Sequence, residues 1–175
     1  MKDRYVVDTN VLIAASAVDL SSPLYEDATP SDPELREKTR AWLLDFKDGN
    51  SRLVLDGQEG ILDEYKKKLR HGDLGRQVVL HKMSVGAVDL VHVDYDKDGH
   101  GVLDEPLASV IHDLADRKMV AAAVDAIFMH QKCTVAFAGD TDWHDWEEAL
   151  QTCQVLLEPI IEEWSRQKHA EKQLR

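Results

Sequence analysis

Five carboxylates in this chain stand at places where folding could bring them to one crevice: Asp8, Glu64, Asp116, Asp140 and Asp142. Asp8 ends a short apolar run, Tyr5-Val6-Val7, and is followed by Thr9-Asn10, residue types that begin helices. Glu64 lies in a helical pattern after a second apolar run, Asp116 opens an Ala-rich stretch, and Asp140 and Asp142 follow a fourth run. Ionised carboxylates gathered out of water repel one another and need a compensating partner. The usual partner is a hard divalent cation: Mg²⁺ and Mn²⁺ take oxygen ligands, keep some waters, and share their ligation with phosphate oxygens. Such a site can position and deprotonate a water for in-line attack on a phosphodiester. No Gly-x-Ser-x-Gly elbow, Walker loop or His-Glu-x-x-His sequence supplies a rival chemistry. Each acid also has a plainer reading. Asp8, Asp116 and Asp142 would serve as helix caps and Glu64 as a solvated helix residue, while Thr9 and Asn10 would either orient Asp8 or belong to the same cap.

The elements that must position these acids alternate. Tyr5-Val6-Val7 predicts a strand and Val11 to Leu20 a helix; Ser21 to Pro33, with three prolines, predicts a loop. Asp32-Pro33-Glu34 starts a helix that runs through Phe46, and Leu53-Val54-Leu55 is a second strand. Helices follow over Gln58 to Arg70 and Leu74 to Met83, then a third strand over Val88 to Val93 and a polar loop from Asp96 to Pro106. Leu107 to Leu114 and Arg117 to Gln131 read as helices, the second buried on most sides. Thr134 to Ala138 is a fourth strand, Trp143 to Thr152 a helix, Val155 to Leu157 a fifth strand, and a charged helical tail begins near residue 159. This order predicts a single α/β unit over residues 1–175, with a mostly parallel sheet of about five strands covered on both faces. In such sheets ligands bind outside the carboxyl ends of the strands, where Asp8 and Asp140 stand.

A net charge of −12 disfavours a broad basic surface for nucleic acid, although Lys66-Lys67-Lys68-Leu69-Arg70 is either a local positive ridge or a solvated helix end. Carboxylates crowded around a metal also carry negative charge that the ion offsets. Cys133 and Cys153 are too few for a disulfide framework and have no zinc-site spacing. There is no long uncharged apolar segment, and Met1-Lys2-Asp3-Arg4 is not the core of a secretion signal, so no membrane partner and a cytoplasmic location are expected.

Four stretches in order resemble the motifs of PIN-domain nucleases. Val6-Val7-Asp8-Thr9-Asn10-Val11-Leu12-Ile13 resembles the first, Ile61-Leu62-Asp63-Glu64-Tyr65 the second, Asp116-Arg117-Lys118-Met119-Val120-Ala121-Ala122-Ala123 the third, and Ala138-Gly139-Asp140-Thr141-Asp142-Trp143 the fourth. The resemblance implies a three-layer α/β/α fold, a carboxylate cluster holding Mg²⁺ or Mn²⁺, and cleavage of single-stranded RNA. It assigns the core acids to Asp8, Glu64 and Asp116, and the fourth to Asp140 or Asp142. It also implies two candidate protein partners, an antitoxin chain and a second copy in a homodimer. One departure stands out: family members often carry Thr-Asn or Ser-Asn before the last Asp-x-Asp, and this chain has Ala138-Gly139. That loss keeps a catalytically silent PIN-like binding module as the alternative.

Asp94-x-Asp96-x-Asp98-Gly99, with Glu105 closing, has the spacing of an EF-hand calcium loop. A strand rather than a helix precedes it, Gly101 replaces the expected apolar residue, and Pro106 follows at once, so an acidic turn bordering the active site is the favoured reading and a calcium-binding module through Asp94 to Glu105 a further alternative. His112-Asp113 matches the doublet of HD-type phosphohydrolases, which are all helical, unlike this chain. Trp143, His144 and Trp146 would either stack on unpaired bases or pack the final helix against the sheet.

Overall fold

The structure is a computed structural model that describes residues 1–174. Five strands, β1 (Arg4–Val7), β2 (Arg52–Asp56), β3 (Val88–Val91), β4 (Thr134–Phe137) and β5 (Leu156–Pro159), form one sheet in the order β3-β2-β1-β4-β5. Every pairing is parallel, with Tyr5 opposite Leu53 on one side of β1 and opposite Thr134 on the other. Tyr5, Val6 and Val7 are fully buried, as are Val135, Ala136 and Phe137, which is why the two central strands read as unbroken apolar runs.

Among the described residues eight α-helices cover the sheet: α1 (Thr9–Ser16), α2 (Pro33–Asp48), α3 (Gly60–Lys68), α4 (Leu74–Ser84), α5 (Leu107–Val110), α6 (Arg117–His130), α7 (Glu147–Thr152) and α8 (Glu162–Gln173). The chain steps from β1 to β2 to β3 in one direction, with α1, α2 and α4 packed on one another, then returns across the sheet to β4 through α5 and α6. Parallel crossovers are right-handed, so this reversal puts α6 on the face opposite α1, giving the three-layer α/β/α arrangement. The reversal also makes the gap between β1 and β4 the topological switch point, where the strand ends leave a crevice.

Two buried cations, Arg36 and Lys82, hold the helical layer on one face. The Arg36 guanidinium donates to the carbonyls of Pro30, Ala17 and Ala28 at 2.6, 3.2 and 2.6 Å, pinning the Pro-rich loop to α2. Lys82 Nζ donates to the Gly49 and Ser51 carbonyls and lies 4.6 Å over the Phe46 ring. On β1 and β2, Arg4 and Arg52 share the Asp89 carboxylate.

Several boundaries differ from the sequence expectation. α1 ends at Ser16 rather than Leu20, because Ser16 Oγ donates back to the Leu12 carbonyl and accepts from Gly75 N–H. The helix expected over Trp143 to Thr152 divides into a 3₁₀ turn, Asp142–His144, and α7, since Trp143 and Trp146 both turn into the core and meet edge-to-face at 5.2 Å. With those two rings buried, they pack rather than present themselves to unpaired bases. α5 stops at Val110 rather than Leu114, leaving His112 and Asp113 exposed in irregular chain. α6 is buried along Met119, Val120, Ala122, Ala123 and Ala126 but exposes Phe128 and Met129, so it is less enclosed than its composition suggests. The fifth strand begins at Leu156 instead of Val155. Among the described residues no helix is long and apolar enough to cross a membrane.

Candidate active site

Asp8 and Asp140 follow the two central strands, one on each side of the switch point. The Asp8 backbone N–H still donates to Ala136 of β4 at 2.9 Å, so the chain leaves the sheet only after fixing this residue against the neighbouring strand. Its side chain is divided between two jobs. Oδ1 accepts from Asn10 N–H at 3.2 Å, a helix-cap bond, while Oδ2 is buried without a hydrogen-bond partner. The cap reading accounts for Oδ1 and leaves Oδ2 without a role.

Burial first, and then the charges of Asp140 and Glu64, push the Asp8 carboxyl up to about 7. The Trp143 indole N–H lies near enough to favour the charged form but makes no complete hydrogen bond. Asp116 precedes α6 with no capping bond from its side chain, which removes the cap explanation for it. Burial, followed by Asp8, Asp140, Asp113 and Glu64, pushes its carboxyl up to about 9. Asp140 is raised as well, chiefly by burial, although its Oδ1 accepts from Asp142 N–H at 2.9 Å. The Asp140 charge thus raises both Asp8 and Asp116, and the Asp8 charge raises Asp116.

The last pair separates. Asp140 acts on both Asp8 and Asp116, whereas the Asp142 carboxylate is bound by Lys172 of α8. Asp140 is thus the member of the pair that acts on the other acids, and Asp142 ties α8 to the turn beside it. Glu64 is placed by Tyr65, whose buried hydroxyl donates to the Val7 carbonyl next to Asp8. Both Glu64 oxygens are occupied: Thr9 Oγ1 donates to Oε1, and Lys118 Nζ lies 2.5 Å from Oε2. Thr9 therefore serves Glu64 rather than Asp8, and Asn10 serves Asp8 through its backbone.

Lys118 is the residue that sequence reasoning passed over. It lies in the third acidic stretch, two positions after Asp116, but nothing in its spacing distinguishes it from a solvated helix lysine. Asp56 was also unmarked; it is buried at the end of β2 and accepts from Gly60 and Ile61 N–H at 2.8 Å, capping the helix that carries Glu64. The departure at Gly139 has a steric cause, because a Cβ there would run into the Thr29 backbone carbonyl.

The 94–105 turn closes on itself. Asp96 Oδ1 accepts from Asp98 and His100 N–H at 2.9 Å each, Asp94 pairs with His92, and Tyr95 bridges Gly101. It borders the acids as an acidic turn: Gly101 packs on the Lys118 backbone and Tyr95 against Gly60. The basic run is partly neutralised, since Lys66 pairs with Glu59 and Asp63. A cavity of about 860 Å³ lined by Arg40, Arg70, His71 and Asp73 contains none of the five acids.

The orphaned Asp8 Oδ2 and three mutually repelling carboxylates have the chemistry of Mg²⁺ or Mn²⁺ ligands. Among the described residues, however, no three His, Cys, Asp or Glu side chains gather as one chelating group. Mg²⁺ commonly binds through one or two carboxylates, its waters and substrate phosphates, and that mode needs no such group. The chain matches no family model, no curated protein and no solved structure, so the functional reading rests on this geometry.

Proposed function

We propose that the chain is a PIN-like, metal-dependent endoribonuclease that hydrolyses phosphodiester bonds of single-stranded RNA. The observation that carries the reading is Asp8 Oδ2, buried without a partner beside the switch point, with the Asp140 charge raising both Asp8 and Asp116. Asp8, Asp116 and Asp140 would hold Mg²⁺ or Mn²⁺, which supplies a water acidified for attack and charge compensation for the leaving oxygen. Glu64 and Lys118 form an ion pair beside this set, and the Lys118 ammonium would meet a phosphate oxygen. Asp142 and Lys172 stand outside the acid set and hold α8 beside it.

The residues are read as those of a cytoplasmic protein, and an antitoxin chain or a second copy as its candidate protein partners. The test is cleavage of labelled single-stranded RNA by metal-stripped protein resupplied with Mn²⁺. Wild type should cut and Asp8→Asn and Asp116→Asn should not; equal cleavage by all three removes the proposal. A second reading, a silent binding module, is favoured by one observation: Lys118 already neutralises Glu64. RNA retained on a filter with Mn²⁺ but left intact by the wild-type protein would select it.

A further inference from the structure

The outer stripe of α6 forms a second functional candidate. Ala121, Val124 and Phe128 recur at helical spacing and, with Val102 and Leu103, line a groove of about 360 Å³ between α6 and the 92–105 turn. Phe128 is 87% exposed and Val102 47%. Covering a ring of that size is worth about 2 kcal/mol, so leaving it bare is a cost the fold itself does not recover.

The rim of the groove is acidic: Asp94, Asp104, Glu105 and Asp125 surround it, and His92 is the one basic side chain among its lining residues. Asp125 accepts from His92 N–H and Asp94 from the His92 ring. Asp104 and Glu105 have no ion-pair partner among the described residues. An apolar floor inside an acidic rim, two of whose carboxylates are unpaired, is complementary to an apolar segment with cationic flanks. Two copies docked through this face would bring the same acids against one another in a chain of net charge −12.

We propose that this groove docks a segment of a different polypeptide, one that presents an apolar stripe flanked by Lys or Arg. Phe128 is the anchor, and Asp104 and Glu105 set the register. None of Asp8, Glu64, Asp116 or Asp140 lines the groove, so the surface stands apart from the acid cluster and from the hydrolytic reading.

The experiment uses the full chain and two fluorescein-labelled helical probes of about 15 residues. One has leucines at i, i+3, i+4 and i+7 with lysines elsewhere; the other has glutamates in place of the lysines. Anisotropy is read at about 0.15 M salt. The lysine probe should bind, and the glutamate probe should not. Phe128→Asp, and separately the double change Asp104→Lys with Glu105→Lys, should each weaken the lysine probe by about ten-fold or more. Asp48→Lys, an exposed acid on α2, should change it by less than about two-fold. Circular dichroism confirms that each variant is folded. Equal weakening by Asp48→Lys would mean general attraction to an acidic protein and would overturn the proposal. So would undiminished binding by Phe128→Asp, or a wild-type dimer that Phe128→Asp dissolves, which would make a second copy the occupant. No outcome depends on RNA cleavage or on metal.

Discussion

In the metal-free protein, Asp8→Asn should stabilise the fold above neutral pH, although it removes the proposed activity. Asp8 is buried, and its carboxyl is raised from 3.8 to about 7. The folded state therefore keeps this proton at pH values where the unfolded chain has released it. Its contribution is intact below about pH 4 and drains away as pH rises through about 7, at about 1.4 kcal/mol per pH unit, for a full loss of about 4 kcal/mol. Asparagine retains an oxygen for the Asn10 N–H and is as good a helix cap, but carries no charge. Allowing for the new amide group, which must find acceptors among Asp140 and Glu64, the gain at pH 8 should be about 2 to 4 kcal/mol, falling to at most about 2 kcal/mol at pH 5. Urea unfolding followed by tryptophan fluorescence, with chelator present, measures both. If Asp8→Asn destabilises the protein equally at the two pH values, Asp8 is a cap whose charge costs nothing, and the converging-acid argument fails.

Other perturbations report on the supports of the site. Lys118→Met strips the ammonium from Glu64 and should cost about 2 kcal/mol in the absence of metal, with wild-type stability regained in the double variant carrying Glu64→Gln. Tyr65→Phe removes the hydroxyl that donates to the Val7 carbonyl and should cost about 1 to 3 kcal/mol in urea unfolding; no loss would show that this bond does not hold α3 to β1. Arg36→Met orphans three carbonyls of the Pro-rich loop and should cost about 3 to 5 kcal/mol, with proteolysis of residues 18–32 accelerated well before global unfolding. Unchanged cleavage in that loop would mean that it is held by other contacts.

The sheet was legible because β1 and β4 are buried on both faces and so read as unbroken apolar runs, and because Gly and Pro clusters punctuate them. Asp8 and Asp140 were legible as residues that follow strand ends, and Asp116 as one that opens a helix. What the sequence leaves open is decided by tertiary partners. Asp140 and Asp142 are equivalent in spacing and differ only because α8 delivers Lys172 to one of them. Lys118 looks like any helix lysine until Glu64 arrives from α3. The periodicity of 143–152 fits one helix, but two tryptophans turning inward break it. Phe128, inside an Ala- and Val-rich stretch, reads as core and is exposed because the sheet below α6 is already covered by Met119, Ala122 and Ala126.

The central claim, that repulsion among Asp8, Asp116 and Asp140 is relieved by a divalent ion, is tested most directly by anomalous diffraction from crystals soaked in Mn²⁺. The account predicts a manganese peak at the ends of β1 and β4 bounded by those three carboxylates, absent in Asp116→Asn crystals. An empty site at saturating Mn²⁺, or a peak confined to the Asp94–Glu105 turn, would contradict it.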